Sequence, residues 1–452
     1  MDNSTATRSH WTSRLGFVLA ASGSAIGLGN IWKFPYITGK NGGGAFVLVY
    51  LACISLVGLP IMMAEFLIGR HGQRDAVGSF ATLEGRRSPW CLVGWGGVAA
   101  SFILLSFYAV VAGWSFDYVV KAAAGTLVGR SPGEIQVVFG GLVSSPGSVI
   151  LWQLLFILAT AGIVVGGIRG GIERWSKVLM PVLFLLLLFL FGHGMLSAGA
   201  GAGLKFMFYP DFSKLSPQAL LDALGHSFFT LSLGAGTMIT YGSYLDRDSD
   251  LFALSFRITL LDTLVALLAG LAIFPVVFAA GLEPDAGPGL VFKTIPIVFS
   301  GMPFGSLLGC LFFLLLAFAA LTSSISMLEV SVAYLIDEKG WRRSRATLLA
   351  AGGAFLVGLP SALSFNLWKG IRFFWGRNFF DFFDLLVSSY MLPLGGFFIA
   401  LYAGWIWKGK EEKRELAGRT RRPWLYPLWH FLLRFVAPVA VLIIILNQAG
   451  VF

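Results

Sequence analysis

The run 251–280 holds only two charged residues, Arg257 near its start and Asp262 further in. A carboxylate inside such an apolar stretch is costly, and by default it marks a functional site. Two stretches elsewhere are unusually rich in glycine: Ser22-Gly-Ser-Ala-Ile-Gly-Leu-Gly-Asn30 and Thr230-Leu-Ser-Leu-Gly-Ala-Gly-Thr237. Each glycine costs a helix about 1 kcal/mol relative to alanine. Two readings are open. The stretches can be helix breaks that turn amides and carbonyls toward a ligand, which a membrane tolerates only where protein or a water-filled cavity satisfies them. They can also be close helix packing of the GxxxG kind, a spacing that Gly23 and Gly27 fit. The pair Thr322-Ser323 is equally double-edged. Its hydroxyls suit a hard cation, or they bond back to carbonyls of their own helix.

The elements that position these groups follow from composition. Of 452 residues, 56% are hydrophobic and only 12% charged, about half the charge of an ordinary soluble chain. Mean hydropathy is +0.79. Disorder is excluded. A nucleic-acid-binding surface is excluded too, because the 33 Lys and Arg sit in short clusters between long apolar runs. The pattern predicts an all-α polytopic membrane protein with about eleven spans, over 15–37, 44–69, 90–123, 150–166, 172–192, 218–242, 251–280, 305–335, 347–362, 379–407 and 428–448. One set of alternate loops holds roughly 22 basic residues and the other roughly 10, so the positive-inside rule places the N-terminus in the cytoplasm and the C-terminus outside. Cys53, Cys91 and Cys310 lie in or beside apolar runs and read as small buried residues. No secretory signal is expected. The only Asn-x-Ser/Thr sequon, at Asn3, precedes the first span, which favours a prokaryotic inner membrane.

The glycine clusters fall in segments 1 and 6, so the chain divides into 15–192 and 218–407. Interrupted spans at matching places in two halves point to a transporter site between inverted repeats. The remaining divisions are 1–14, an N-terminal latch; 193–217, an outer loop; and 408–452, a cytoplasmic loop with an eleventh helix.

The motifs Trp11-Thr-Ser-Arg-Leu-Gly16, Gly27-Leu-Gly-Asn-Ile-Trp-Lys-Phe-Pro35, Asn41-Gly-Gly-Gly-Ala-Phe46, Phe228-Phe-Thr-Leu-Ser-Leu-Gly234, Leu321-Thr-Ser-Ser324 and Leu392-Pro-Leu-Gly-Gly396 occur in order along nearly the whole chain. In these it resembles the neurotransmitter:sodium symporter family, in its shorter, eleven-helix bacterial amino-acid transporter branch. The resemblance implies a 5+5 inverted repeat with discontinuous helices 1 and 6, and symport of a neutral L-amino acid with sodium. It places a substrate carboxylate at the amides of Leu28 and Gly29 and the hydroxyl of Tyr108, and an ammonium at the carbonyls of Ala25, Phe229 and Thr230 and the hydroxyl of Ser232. Gly27 stands where monoamine carriers have Asp, which leaves space for an amino acid's carboxylate. Two sodium sites are implied: Ala25, Asn30, Thr230, Asp262 and the substrate carboxylate form the first, and Gly23, Ile26, Ala319, Thr322 and Ser323 the second. Asp262, with Ala266 nearby where other bacterial members carry Glu, implies transport without chloride and the option of proton counter-movement. His226 stands where the family often has Gln.

The resemblance also implies gates. Lys33 and Asp384 match the outer pair, with Phe229 as an aromatic lid, and Arg8, Trp11, Tyr244 and Asp337 match the inner latch. Gly171 and Pro181 bracket nine residues of segment 5 that are expected to unwind. A side-chain pocket of Leu104, Ala235, Thr237, Met327, Phe229 and Tyr108 is expected to take a bulky hydrophobic or aromatic side chain. The expected partners are an amino acid and the lipid bilayer, with no nucleic acid, in a monomer or weak dimer. An intramembrane enzyme is the rival from another class, but His10, His71, His193, His226 and His430 have no metal-site spacing. A channel would need a filter. A transport-inactive amino-acid sensor of the same fold is the third alternative.

Overall fold

A computed structural model describes residues 9–284, 290–372, 374–407, 413, 416 and 424–448, and among them there are helices and no strand. The helices that frame the site are α1 (Arg14–Ala25), α2 (Gly29–Lys40), α3 (Gly44–Gly72), α4 (Cys91–Ala123), α5 (Pro146–Val164), α6 (Ile168–Met195), α7 (Pro217–Thr230), α8 (Thr237–Gly242), α9 (Leu251–Ala279), α10 (Gly305–Lys339), α11 (Arg343–Leu363), α12 (Phe379–Ile406) and α13 (Leu425–Asn447). Nine of these are long and apolar enough to cross a membrane, and α1 with α2 makes a bent pair at 47°. The span 218–242, expected to be discontinuous, is two helices separated at 231–236, each too short to cross alone.

Start and stop signals set these bounds. The Ser145 hydroxyl accepts from the Ser148 amide, so α5 begins at Pro146, four residues before the expected start. Gly340, left-handed, ends α10 at Lys339, four residues later than expected. Two connector helices also have explicit caps: Ala76–Glu84 under Asp75, and Pro132–Ser144 under the capping box of Ser131 and Glu134. The expected outer loop 193–217 contains a further helix, Ala200–Phe208.

The two breaks have different geometry. In the first, Ile26 is extended after α1 and the chain re-enters a helix at Gly29. In the second, 231–236, the backbone is left-handed at Ser232, Gly234 and Gly236. At Gly234 a Cβ would lie 2.1 Å from the Leu392 carbonyl oxygen, so no other residue fits without moving α12. α4 and α10 pack along much of their length, and α1 packs on α6, α9 and α10.

Candidate substrate and ion site

The break between α1 and α2 is tied to α9 through Asn30. Its side-chain amide donates to Asp262 Oδ1 at 2.7 Å and to the Asp262 carbonyl at 3.1 Å, while its own oxygen accepts from the Gly27 amide at 3.0 Å. Thr230, the last residue of α7, donates to the same Oδ1 at 2.9 Å. Asp262 is fully buried. Both interrupted segments therefore converge on one carboxylate, with oxygens suited to a hard cation.

A second oxygen cluster lies where α1 stops against α10. Ser323 Oγ is 3.3, 3.0 and 3.4 Å from the carbonyl oxygens of Gly23, Ser24 and Ile26. Thr322 Oγ1 is 3.3 Å from the Ile26 oxygen and 3.0 Å from that of Ala319. The Thr322 hydroxyl also reaches its own helix at Phe318, so it meets both its own helix and α1.

Between these clusters lies a space of about 10 Å³ bordered by Ala25, Gly27, Leu28, Gly29, Leu104, Tyr108, Phe229, Ser232 and Met327, with Ser24 and Ser323. The Leu28 amide donates to the Tyr108 hydroxyl at 3.2 Å. Ser232 Oγ donates to the Ser24 carbonyl at 3.1 Å. A Cβ on Gly27 would lie 2.3 Å from Ser323 Oγ and 3.0 Å from the Tyr108 hydroxyl, so this position has no room for a carboxylate side chain. Ala235 and Thr237 do not border this space. The Ala235 carbonyl accepts from Ser101 Oγ at 2.7 Å, and Thr237 Oγ1 lies 3.5 Å from the same hydroxyl.

On one side of this space is a cavity of about 520 Å³, whose walls include Trp32, Lys33, Phe229, Asp381 and Asp384. Lys33 Nζ sits 4.2 Å from the centre of the Phe229 ring. Asp384 accepts from Ser388 Oγ at 2.8 Å and forms no ion pair with Lys33. On the other side Trp11 Nε1 donates to the Tyr241 carbonyl at 3.2 Å, and its ring meets those of Tyr241, Tyr244 and Phe17 edge-on. The Tyr244 hydroxyl donates to buried Glu329 at 2.8 Å, and Glu329 pairs with Arg343. Asp337 Oδ2 accepts the Asp75 amide at 2.7 Å. Arg8 lies outside the described residues. Gly171 belongs to the widened turn Ile168–Glu173 that opens α6, and Pro181 is inside the helix that follows.

Several participants escaped the sequence reading. Tyr50 donates to Asp262 Oδ2 at 3.4 Å and packs on His226, whose ring nitrogens have no hydrogen-bond partner among the described residues. Glu65, fully buried, accepts the Gly234 amide at 2.7 Å and so holds the second break. Glu65 and Glu329 are acids inside apolar runs, and the argument that singled out Asp262 applies to both.

An interrupted helical membrane bundle with its polar groups gathered at the breaks defines a secondary transporter. The chain belongs to the sodium:neurotransmitter symporter family, whose sequence profile matches residues 8–132 and 137–452. It is thus a multi-pass membrane protein of a transporter family, not an enzyme. It is 42% identical over 449 residues to the sodium-dependent transporter YhdH of Bacillus subtilis, with 98% of each chain covered, and 36% identical to a sodium-dependent transporter of Haemophilus influenzae, again over 98% of each. A human sodium- and chloride-dependent GABA transporter 2 is 26% identical, covering 97% of this chain and 79% of its own length. Among solved structures, MhsT in complex with L-phenylalanine superposes with a TM-score of 0.90 at 47% identity, over 98% of this chain and 100% of the other.

Proposed function

We propose that the chain carries out sodium-coupled symport of a bulky hydrophobic or aromatic L-amino acid, without chloride, by alternating access between two five-helix repeats, 15–192 and 218–407. The observation that carries this reading is the buried Asp262 carboxylate shared by Asn30 and Thr230 at the two helix breaks. A sodium ion at that carboxylate has a fixed negative charge beside it and needs no chloride for balance. The amides of Leu28 and Gly29 and the Tyr108 hydroxyl take the substrate carboxylate. The Ser232 hydroxyl and nearby carbonyls take its ammonium. The cluster of Gly23, Ile26, Ala319, Thr322 and Ser323 takes a second sodium. Protonation of Asp262 after sodium leaves gives the route for proton counter-movement.

The gap of about 10 Å³ means that Phe229, Leu104 and Met327 must yield to admit a side chain. Methionine is well suited to that. The phenylalanine bound to MhsT and the apolar border here favour a large side chain over GABA or glycine. The N-terminus faces the cytoplasm, by the basic residues of the alternate loops.

The test is uptake of labelled L-phenylalanine and L-leucine into proteoliposomes under an imposed sodium gradient, with chloride or gluconate outside. Accumulation that needs sodium and persists in gluconate is expected. No accumulation across a broad amino-acid panel ends the transport reading, and collapse in gluconate ends the role given to Asp262.

A further inference from the structure

The lipid-facing surface holds a groove that the transport site does not use. It lies between α3, α9 and α13, has a volume of about 470 Å³, and is walled by Leu59, Met63, Phe256, Leu425, Leu428 and Leu432. Its floor is fixed, because buried Trp429 donates its indole N–H to the Pro60 carbonyl at 3.0 Å. Only two charged residues line it, Asp250 and Arg257. Arg257 is exposed in the second turn of a membrane-crossing helix and forms no ion pair or hydrogen bond with the described residues. Arg257 thus has no counter-charge among the described residues, and an arginine near the end of a span turns its head to the headgroup region, where a lipid anion can pair with it. Asp250 uses Oδ1 to cap α9 by accepting the Ala253 amide at 3.2 Å, which leaves its second oxygen for another donor.

The two groups are seven residues apart, two turns along one face of a helix. Asp250, the extended N-cap residue, and Arg257, in the second turn, both line the groove. The groove thus presents one cation and one anion in an otherwise uncharged, mostly apolar lining. We propose that the groove is a binding site for phosphatidylethanolamine. The lipid phosphate pairs with the Arg257 guanidinium, the primary ammonium donates to the Asp250 carboxylate, and an acyl chain lies along the apolar walls. Phosphatidylglycerol offers the phosphate but no ammonium, and the quaternary head of phosphatidylcholine has no N–H to give Asp250. The site is independent of which amino acid the transporter carries.

The test is the thermal midpoint of the full chain in detergent, titrated with each of these three lipids, alongside native mass spectrometry of retained lipid. Phosphatidylethanolamine is expected to act at a roughly tenfold lower concentration than the other two, the size of one charge-assisted hydrogen bond. Asp250→Asn, which keeps the helix cap, is expected to bring phosphatidylethanolamine level with phosphatidylglycerol. Arg257→Gln is expected to lose the response to both, and Arg257→Lys to keep the preference. Equal responses to the three lipids in the unaltered chain would overturn the proposal. So would a preference that survives both Asp250→Asn and Arg257→Gln, including the case where a variant merely lowers the lipid-free midpoint and keeps its lipid response.

Discussion

The central space is shut off by different means on its two sides. Toward the 520 Å³ cavity the barrier is little more than the Phe229 ring with Lys33 above it. Toward the N-terminal segment it is a set of bonds between different elements: Trp11 to Tyr241, Tyr244 to Glu329, Glu329 to Arg343, and Thr12 and Ser13 to Glu173. The thin side opens by moving one side chain. The thick side opens only if the N-terminal segment parts from α6 and α8 and Tyr244 parts from α10, breaking several bonds together. In this structure the cavity side is therefore the less firmly held of the two.

Glu329→Ala is the strongest way to break this asymmetry. It strips a mostly buried arginine and the Tyr244 hydroxyl of their shared acceptor. Removing one partner of a buried pair costs about 3–5 kcal/mol, so the thermal midpoint is expected to fall by many degrees and uptake to be lost. Glu329→Gln, which keeps an acceptor for Tyr244, is expected to lose less. Equal midpoints for Glu329→Ala and the unaltered chain would show that the pair does not hold this side shut.

Asp75 sharpens the comparison through pH. It is buried outside the spans, and burial, with Asp337 and Glu338 close by, raises its carboxyl to about 6. The folded chain then holds a proton that the unfolded chain releases near pH 4. Stability falls as pH rises from about 4 through 6, and the penalty stays in full above that. Asp75→Asn keeps the cap on Ala76–Glu84 and removes the penalty, on the order of 3 kcal/mol. A higher midpoint than the unaltered chain at pH 8 and no difference at pH 4 are expected. A gain that is the same at both pH values would locate the effect elsewhere.

Glu173 comes next. It is buried and accepts from the Thr12 amide at 2.8 Å, the Thr12 and Ser13 hydroxyls, and Lys177 at 2.6 Å. Gly16 leaves the room for it, since a Cβ there would sit 2.1 Å from Glu173 Oε1. Losing a hydrogen bond to a charged group costs about 1.5–3 kcal/mol. Glu173→Gln is expected to speed amide exchange over 12–17 by roughly tenfold or more, and Gly16→Ala to do the same by displacing the carboxylate. Unchanged exchange in both variants would mean that α6 does not hold the N-terminal segment.

These bonds also mark the limit of what the sequence makes legible. The apolar runs of α3, α4, α6 and α9 are readable to within a few residues because a span needs a fixed apolar length. The breaks are readable because clustered glycine is so poor in a helix. The chemical type of the site is readable from Asp262 in an apolar run. The partners of Glu173 are not, because Thr12 is 161 residues away and only the packing of α1 on α6 brings them together. Glu329 and Arg343 are close in sequence, but only the turn between α10 and α11 aims them at each other. The asymmetry of the two barriers is likewise a property of packing. Lys33 and Asp384 are as easily noticed in the sequence as Trp11 and Tyr244, yet they do not bond to each other.

The smallest effect is expected on the thin side. Asp384 is engaged by Ser388 and Lys33 by the face of Phe229, so neither depends on the other. Solvent-exposed charge pairs couple by about 0–1 kcal/mol at most. A double-mutant cycle of Lys33→Gln and Asp384→Asn, read on the thermal midpoint without substrate, is expected to give a coupling under about 0.5 kcal/mol. Phe229→Ala in the same assay removes the ring and the seat of the lysine together, and is expected to cost more than either charge change. A Lys33–Asp384 coupling of about 2 kcal/mol would mean that the cavity side is closed by an ion pair, and the two barriers would then be alike in kind.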